Sequence, residues 1–274
     1  MKPLGFTNSY FFINNTLAKT NTEIFNPENE ISVYEVIKII SGIPLFFESH
    51  IARLKNSLKL SNIKGYSITN ATFIKRVKQL CDKNRVYFGN IELRIVKSDD
   101  ITNCYLGFTP HTYPPPLSYF NGVDTLLLNL ERNNPNAKVK NTKARIKADR
   151  FLTDKNVFEV ILVDTNNYIT EGSRSNLFFI KNNIVYTAPT GLVLPGITRK
   201  HVMKALKSIN ISIIDKSVSI EELDNIDAVF LCGTSPGVLP IKQIDNYKFN
   251  VKNSVINSLM LEFNNIIKQY IINQ

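Results

Sequence analysis

Apolar residues recur three and four positions apart in two stretches of the first half of the chain. Over 48–62 the stripe is Ile51, Leu54 and Leu58, and over 70–84 it is Phe73, Val77 and Leu80, the spacing of one face of an α-helix. These helices are expected to start after Glu48-Ser49 and Asn70, whose polar side chains suit a helix entry. Around them, runs rich in β-branched and aromatic residues predict strands at 8–14, 33–40, 90–97 and 103–108. The second half predicts more strands, at 123–129, 158–164, 176–180, 184–187, 211–215, 227–232 and 237–243, with helices at 143–155, 197–208 and 252–270. Between the halves lies TPHTYPPPLSYFNG (109–122), whose three consecutive prolines lack backbone donors and favour extended chain. The expected organisation is an N-terminal domain over 1–115, a linker over 116–122 and a C-terminal domain over 123–274. The class is α+β, with a smaller α/β domain first and a larger, β-rich domain with helices second. No fixed-period repeat is visible.

At 274 residues the chain is long enough for two domains with substantial cores. Its first residues, MKPLGFTNSY, hold no apolar run of signal-peptide length, and no stretch reaches the ~18 apolar residues of a membrane helix. A cytoplasmic protein without a membrane partner is expected. Cys81, Cys104 and Cys232 are far apart and lack the short paired spacing of a zinc site, so free thiols and no metal are expected. The net charge of +10 would suit nucleic acid. Its lysines, however, are scattered over every segment, the composition is rich in Asn, Ile and Lys, and no nucleic-acid motif accompanies them. Nucleic acid is therefore not an expected partner, and a non-enzymatic basic binding protein is the most distant reading.

Several segments carry chemistry. In NAKVKNTKARIKADRF (136–151), Lys140, Lys143 and Lys147 have the spacing that stacks side chains along one helix face, a solvated basic stripe. Lys138 falls before that helix, at the exit of an extended segment, where an amine can be aimed into a cleft. In YITEGSRSNLFFI (168–180), Glu171 and Gly172 lie between a turn and a strand. LPGITR (194–199) reads as a turn entering a helix, with Gly196 at the entry. There the Ile197 and Thr198 amides have no intrahelical acceptor, and with the Thr198 hydroxyl they favour an anion. Arg199 is expected to face solvent. FLCGTSPG (230–237) ends an apolar strand in a polar turn containing Thr234 and Ser235. In FFESHIARLKNSLKL (46–60), periodicity places Arg53 beside the apolar stripe, at the surface, and His50 as a packing residue at the helix start.

Taken together, EGSRSNLFFI, LPGITR, His-x-x-Arg-Leu and the lysine cluster closely resemble the class IV, or fold-type IV, pyridoxal-phosphate-dependent aminotransferases. That group contains branched-chain and D-amino-acid aminotransferases and aminodeoxychorismate lyase, and almost the whole chain can be laid on its pattern. The resemblance implies pyridoxal 5'-phosphate held as a Schiff base by a lysine that also shuttles a proton. The family lysine is typically followed by two residues and an asparagine. Lys138-Val-Lys-Asn141 has that spacing, and its separation from Glu171 suits the family, which makes Lys138 the implied catalytic lysine and Lys140 the second choice. Glu171 would accept a hydrogen bond from the pyridine nitrogen and keep it protonated. The phosphate would be held by Gly196, Ile197, Thr198, Thr234 and Arg53, since a guanidinium pairs bidentately with phosphate. An aromatic residue often found just after the family lysine is replaced here by Thr142 and Lys143. Tyr34, in Val-Tyr-Glu-Val-Ile-Lys, matches a tyrosine of the D-amino-acid branch and is expected to fill that role.

The substrate signatures are mixed. Arg94 aligns with an arginine of the branched-chain pattern, but Glu92 replaces the tyrosine two residues before it. Lys97 stands where the D-amino-acid pattern has an arginine, and Asp99 where it has a histidine. Arg94 and Lys97 read equally as edge-exposed salt-bridge residues. The Thr234 and Ser235 amides could also hold a substrate carboxylate. The resemblance implies transfer of an amino group between an amino acid and a 2-keto acid, with an aminodeoxychorismate-type carbon–oxygen lyase as the same-fold alternative, in a homodimer.

Overall fold

The computed structural model describes residues 5–20, 31–98, 101–132, 134–140 and 143–274. The chain divides into two compact units. Unit 1 is Met1–Thr112 with Ala137–Lys140 and Tyr270–Gln274, and unit 2 is Tyr113–Asn136 with Asn141–Gln269.

Unit 1 is built on strands β1 (Tyr10–Ile13), β2 (Thr16–Lys19), β3 (Ile31–Ile40), β4 (Ile43–Pro44), β5 (Gly89–Ser98) and β6 (Ile101–Phe108), with helices α1 (Phe47–Leu60) and α2 (Asn70–Asn84). The sheet order is β2-β1-β6-β5-β3-β4, and every neighbouring pair is antiparallel. Along β3 the residues alternate: Val33, Glu35, Ile37 and Ile39 are buried, whereas Tyr34, Val36, Lys38 and Ile40 are half-buried. Val33, Ile37 and Ile39 join Ile51, Leu54 and Leu58 of α1 and Phe73, Val77 and Leu80 of α2 in one core, so both helical stripes read from the sequence face this side of the sheet. Strands β2 and β4 escape a pattern search because they are short. Ser41 (φ 53°) and Gly42 (φ 80°) form the two-residue turn between β3 and β4, both residues left-handed as such hairpins require. The helix entries also differ from expectation. Thr69, not Asn70, caps α2, accepting from the Thr72 amide at 3.1 Å. Helix α1 begins after Phe46 in a left-handed conformation with no side-chain cap.

Residues Ala137–Lys140, placed in the C-terminal domain by sequence, make the contacts of unit 1. Val139 forms an antiparallel bridge with Val33. The Tyr34 amide donates to the Lys138 carbonyl at 3.1 Å, and the Lys140 amide to the Ser32 carbonyl at 2.8 Å. This short run acts as an added strand, a long-range pairing that no local pattern announces.

Unit 2 contains α3 (Ser118–Asn121), β7 (Val123–Asn129), α4 (Lys143–Lys155), β8 (Glu159–Val163), β9 (Tyr168–Gly172), β10 (Asn176–Lys181), β11 (Ile184–Thr187), α5 (Ile197–Ser208), β12 (Ile213–Asp215), β13 (Val218–Ser219), β14 (Ala228–Gly233), β15 (Gly237–Ile244), β16 (Tyr247–Lys248) and most of α6 (Ser254–Ile272). The sheet runs β12-β11-β10-β14-β15-β7-β8-β9-β13, with β16 paired to β15. Pairs β11/β12, β15/β7 and β7/β8 are parallel and the others antiparallel. Leu177–Ile180 and Ala228–Cys232 are buried on both faces, which explains their continuous apolar runs. Phe178 and Phe230 stack across the pair at 4.9 Å between ring centroids.

Residues 116–122, expected to link the domains, instead form the one-turn α3 and its exit within unit 2. The Tyr119 hydroxyl donates to the Pro236 carbonyl at 2.8 Å. Gly122 ends this turn at φ 68°, and a Cβ there would come within 2.8 Å of the Lys242 backbone nitrogen and 2.6 Å of Val251 Cγ1. Both the dihedral and the space demand glycine. Gly122→Ala is therefore expected to destabilise unit 2 by about 2 kcal/mol or more, read as a lowered urea midpoint. An unchanged midpoint would remove the constraint.

Candidate active site

In unit 1, the alternation of β3 sorts the candidate residues into two groups. On the helix-covered face Glu35 is fully buried. It accepts from Arg53 Nε at 2.7 Å and Arg53 Nη2 at 2.6 Å, and pairs with His50 Nδ1 at 2.7 Å. Arg53 and His50 sit one turn apart on α1, so one helix face presents both to one carboxylate. Arg53 is thus a buried residue, not the surface arginine its periodicity suggested, because Glu35 supplies its counter-charge. His50 is buried too, with Glu35 as its partner. Burial alone would raise the Glu35 pKa, but the Arg53 guanidinium and the His50 hydrogen bond outweigh it and hold the carboxyl down at about 2. Burial draws the His50 pKa below the ordinary histidine value despite Glu35. An ionised carboxylate can only accept, so neutral His50 carries its proton on Nδ1 and donates it to Glu35. Sequence reasoning missed Glu35; its signal was a charged residue in the apolar phase of a strand.

On the opposite face stand Tyr34, Glu92, Arg94, Lys138 and Lys140. Tyr34 lies opposite Arg94, and Val36 opposite Glu92, in the β3/β5 register. Lys138 Nζ is 4.8 Å and Lys140 Nζ 5.5 Å from the Tyr34 ring centroid, the range of a cation–π contact. Lys140 Nζ also donates to Glu92 at 2.7 and 2.8 Å, and Arg94 Nε donates to Glu92 Oε1 at 2.5 Å. Two expectations are corrected here. Arg94 is not at an edge: β5 lies between β6 and β3, and Arg94 is buried against Glu92. Lys140 is not on a solvated helical stripe, since α4 begins at Lys143 and Lys140 belongs to the extended run bridged to β3. Lys143 and Lys147 are exposed, as the stripe requires. Lys97 is half-buried at the end of β5. Asp99, Asn141 and Thr142 lie outside the described residues.

In unit 2, Glu171 is in β9 itself and not between a turn and a strand; antiparallel pairing with β8 carries the strand through Gly172. Its carboxylate is buried and accepts from Arg132 Nη1 at 2.5 Å, the Leu194 amide at 2.9 Å and Asn176 Nδ2 at 3.5 Å. The loop after Glu171 is held by a second buried carboxylate, Glu159. Glu159 accepts from the Ser173 and Ser175 hydroxyls, both at 2.7 Å, and from the Arg174 amide at 3.1 Å. Arg132 gave no sequence signal. Glu159, a carboxylate opening the apolar run EVILV, did.

Gly196 caps α5 with extended dihedrals (φ −61°, ψ 134°) and no side-chain cap. Glycine is needed here for space and not for a special backbone: a Cβ would fall 2.0 Å from Asn176 Oδ1. Asn176 Nδ2 also donates to the Leu194 carbonyl at 3.0 Å, and Asn176 lies opposite Cys232 in the β10/β14 register. Asn176 therefore ties Glu171, the α5 entry and the end of β14 together. Beyond β14 come Thr234 and Ser235, both half-buried. Thr198 is buried in the first turn of α5. Arg199, expected in solvent, is buried, with Nη2 donating to the Ala188 carbonyl at 2.9 Å and Nη1 to Thr190 Oγ1 at 3.1 Å. It braces the segment before α5.

The donor set fits a pyridoxal phosphate. A helix entry without a side-chain cap offers amides to a phosphate, and a buried carboxylate oriented by a guanidinium and an amide can accept a ring N–H. Among the described residues no helix is long and apolar enough to cross a membrane, and Cys81, Cys104 and Cys232 are buried free thiols.

The Amino-transferase class IV family model matches residues 32–244. D-alanine aminotransferase of Bacillus licheniformis is 30% identical over 251 residues, covering 84% of this chain and 88% of that protein. The solved structure of branched-chain amino acid aminotransferase from Escherichia coli superposes with a TM-score of 0.85 at 22% identity, covering 95% of both chains. A Legionella pneumophila structure assigned as a 4-amino-4-deoxychorismate lyase superposes with a TM-score of 0.75 at 25% identity, covering 85% of this chain and 90% of that one.

The Glu35 cluster carries a stability expectation. Glu35→Ala leaves Arg53 a buried charge without its carboxylate and should cost about 3–5 kcal/mol. A carboxylate with a depressed pKa stabilises the fold above the ordinary value near ~4.3 and loses that contribution as pH falls toward 2. His50, held neutral, adds a loss of the same sign below ~6.5. The acid limb of a stability–pH profile should therefore be steep in the wild type and flatter in Glu35→Ala. Parallel limbs would overturn the assignment.

Proposed function

The chain belongs to the class IV amino-transferase family and is a pyridoxal-phosphate-dependent aminotransferase, and from that premise we propose that Lys138 is the amine that holds the cofactor and moves the substrate proton. Bound pyridoxal phosphate supplies a reactive aldehyde and an electron-accepting ring. Glu171 would hold the ring-nitrogen proton. The Ile197 and Thr198 amides, Thr234 and Arg53 would hold the phosphate, with Gly196 giving the helix entry its clearance. Tyr34, Arg94 and Ser235 would orient the substrate. The observation that carries this reading is Glu171, a buried carboxylate on a strand end whose oxygens accept from Arg132 and the Leu194 amide, beside a helix entry that has no side-chain cap.

Lys138 would act as the base for the substrate proton, a role that requires its amine form at that moment. Arg132 and the Leu194 amide orient Glu171, and Glu159 fixes the loop behind it, so the carboxylate is in place before the cofactor arrives. The reaction moves an amino group between an amino acid and a 2-keto acid. A carbon–oxygen lyase activity is the second reading, supported by the likeness to the Legionella protein along 85% of this chain. We also propose a cytoplasmic homodimer, closed two-fold dimers being the commonest assembly.

The test is a screen of D- and L-amino donors against the loaded enzyme. A good donor should bleach the near-visible absorption band, and a 2-keto acid should restore it. A band that no amino donor bleaches, with pyruvate released from aminodeoxychorismate, would favour the lyase. Glu171→Gln should keep the cofactor but lose turnover by about a thousandfold, ~4 kcal/mol at ~1.4 kcal/mol per tenfold. Near-native turnover in that variant would remove Glu171 from the mechanism.

A further inference from the structure

The bridge between Val139 and Val33 has a consequence for the lysine proposed above. Because Val139 shares the Val33 face, the side chains two residues apart on either side of it, Lys138 and Lys140, share the Tyr34 face. Both amines then approach one ring, at 4.8 and 5.5 Å from its centroid. Lys140 is not loose: it donates to both oxygens of Glu92, which is itself buried and bonded to Arg94.

We propose that Lys140 is a positioning residue for Lys138: pinned to Glu92, it holds a second positive charge beside the same Tyr34 ring that the Lys138 amine approaches, and so favours the unprotonated form of that amine. The inference rests on the reading of Lys138 as the cofactor lysine.

The charges around Lys138 in unit 1 can be set out by element. Strand β3 gives Tyr34 and, on its other face, Glu35; Lys38 lies farther along, its amine over Phe88 at 5.9 Å. Strand β5 gives Glu92 and Arg94, and α1 gives Arg53 and His50, whose own protonation is disfavoured in part by the charge of Lys138. Glu35 is neutralised by Arg53, and His50 is neutral. Glu92 accepts from both Arg94 and Lys140. A like charge disfavours protonation of a neighbouring amine. The attraction of an ammonium for a tyrosine ring acts on both lysines, and Lys140 is in addition bonded to Glu92 directly. Burial draws the Lys140 pKa down and Glu92 opposes that.

The experiment is a pH titration of the near-visible band in the loaded wild type, Lys140→Met and Lys140→Arg, with circular dichroism confirming the fold and Lys140→Gln as a second neutral variant. Removing the charge should move the titration midpoint up by about one pH unit, the scale of one partly screened neighbouring charge. Lys140→Arg, which keeps the charge, should leave it close to wild type. A midpoint unmoved in both neutral variants overturns the inference and leaves the Lys138 reading standing. Lys138→Ala should abolish the band. If Lys138→Ala keeps the band while Lys140→Met loses it, the choice of lysine fails, and the inference with it.

Discussion

In strand β3 successive side chains point to opposite faces, and unit 1 depends on that alternation. Val33, Glu35, Ile37 and Ile39 turn toward α1 and α2, and Tyr34 turns the other way. The apolar members make the core that fixes the strand's register, since a slip of one residue would expose all of them at once. With the register fixed, Glu35 must meet Arg53 and His50, and Tyr34 must lie opposite Arg94. The bridge at Val139 then transfers the same alternation to the lysine segment. Lys138 and Lys140 reach Tyr34 because Val139 takes its place on the core-facing side.

Buried carboxylates recur as organising centres, each satisfied differently. Glu35 is matched by a guanidinium and an imidazole, Glu92 by an ammonium and a guanidinium, and Glu159 by two hydroxyls and an amide. Glu171 is matched by a guanidinium and an amide. Burying such groups costs several kcal/mol unless the partners are supplied. Each cluster therefore fixes its surroundings: α1 against β3, the Lys140 side chain against β5, the 173–175 loop against β8, and the α5 entry against β9.

The strands and helices were largely legible in the sequence because their apolar periods are long and unbroken, as in 47–60 and 228–232. The family was legible because residue type, order and spacing coincide in the motifs around Glu171, Gly196 and Thr234. What escaped the reading is long-range pairing. Nothing near Lys138 announces that it joins a strand more than a hundred residues earlier, and Arg53 read as a surface residue because its counter-ion, Glu35, lies on a different element. Gly196 was legible as a helix entry, but the clearance for Asn176 that requires glycine there was not. Arg199 was read as solvent-facing because its acceptors, Ala188 and Thr190, belong to a loop whose course the sequence does not set.

The central claim is that the extended run bridged to β3 presents one particular amine to the cofactor. Borohydride reduction of the loaded enzyme, followed by digestion and peptide mass mapping, tests it most directly. The account predicts a single pyridoxyl group on Lys138, with Lys140 and Lys143 unmodified. A label on Lys140 or Lys143 with Lys138 unmodified would contradict it.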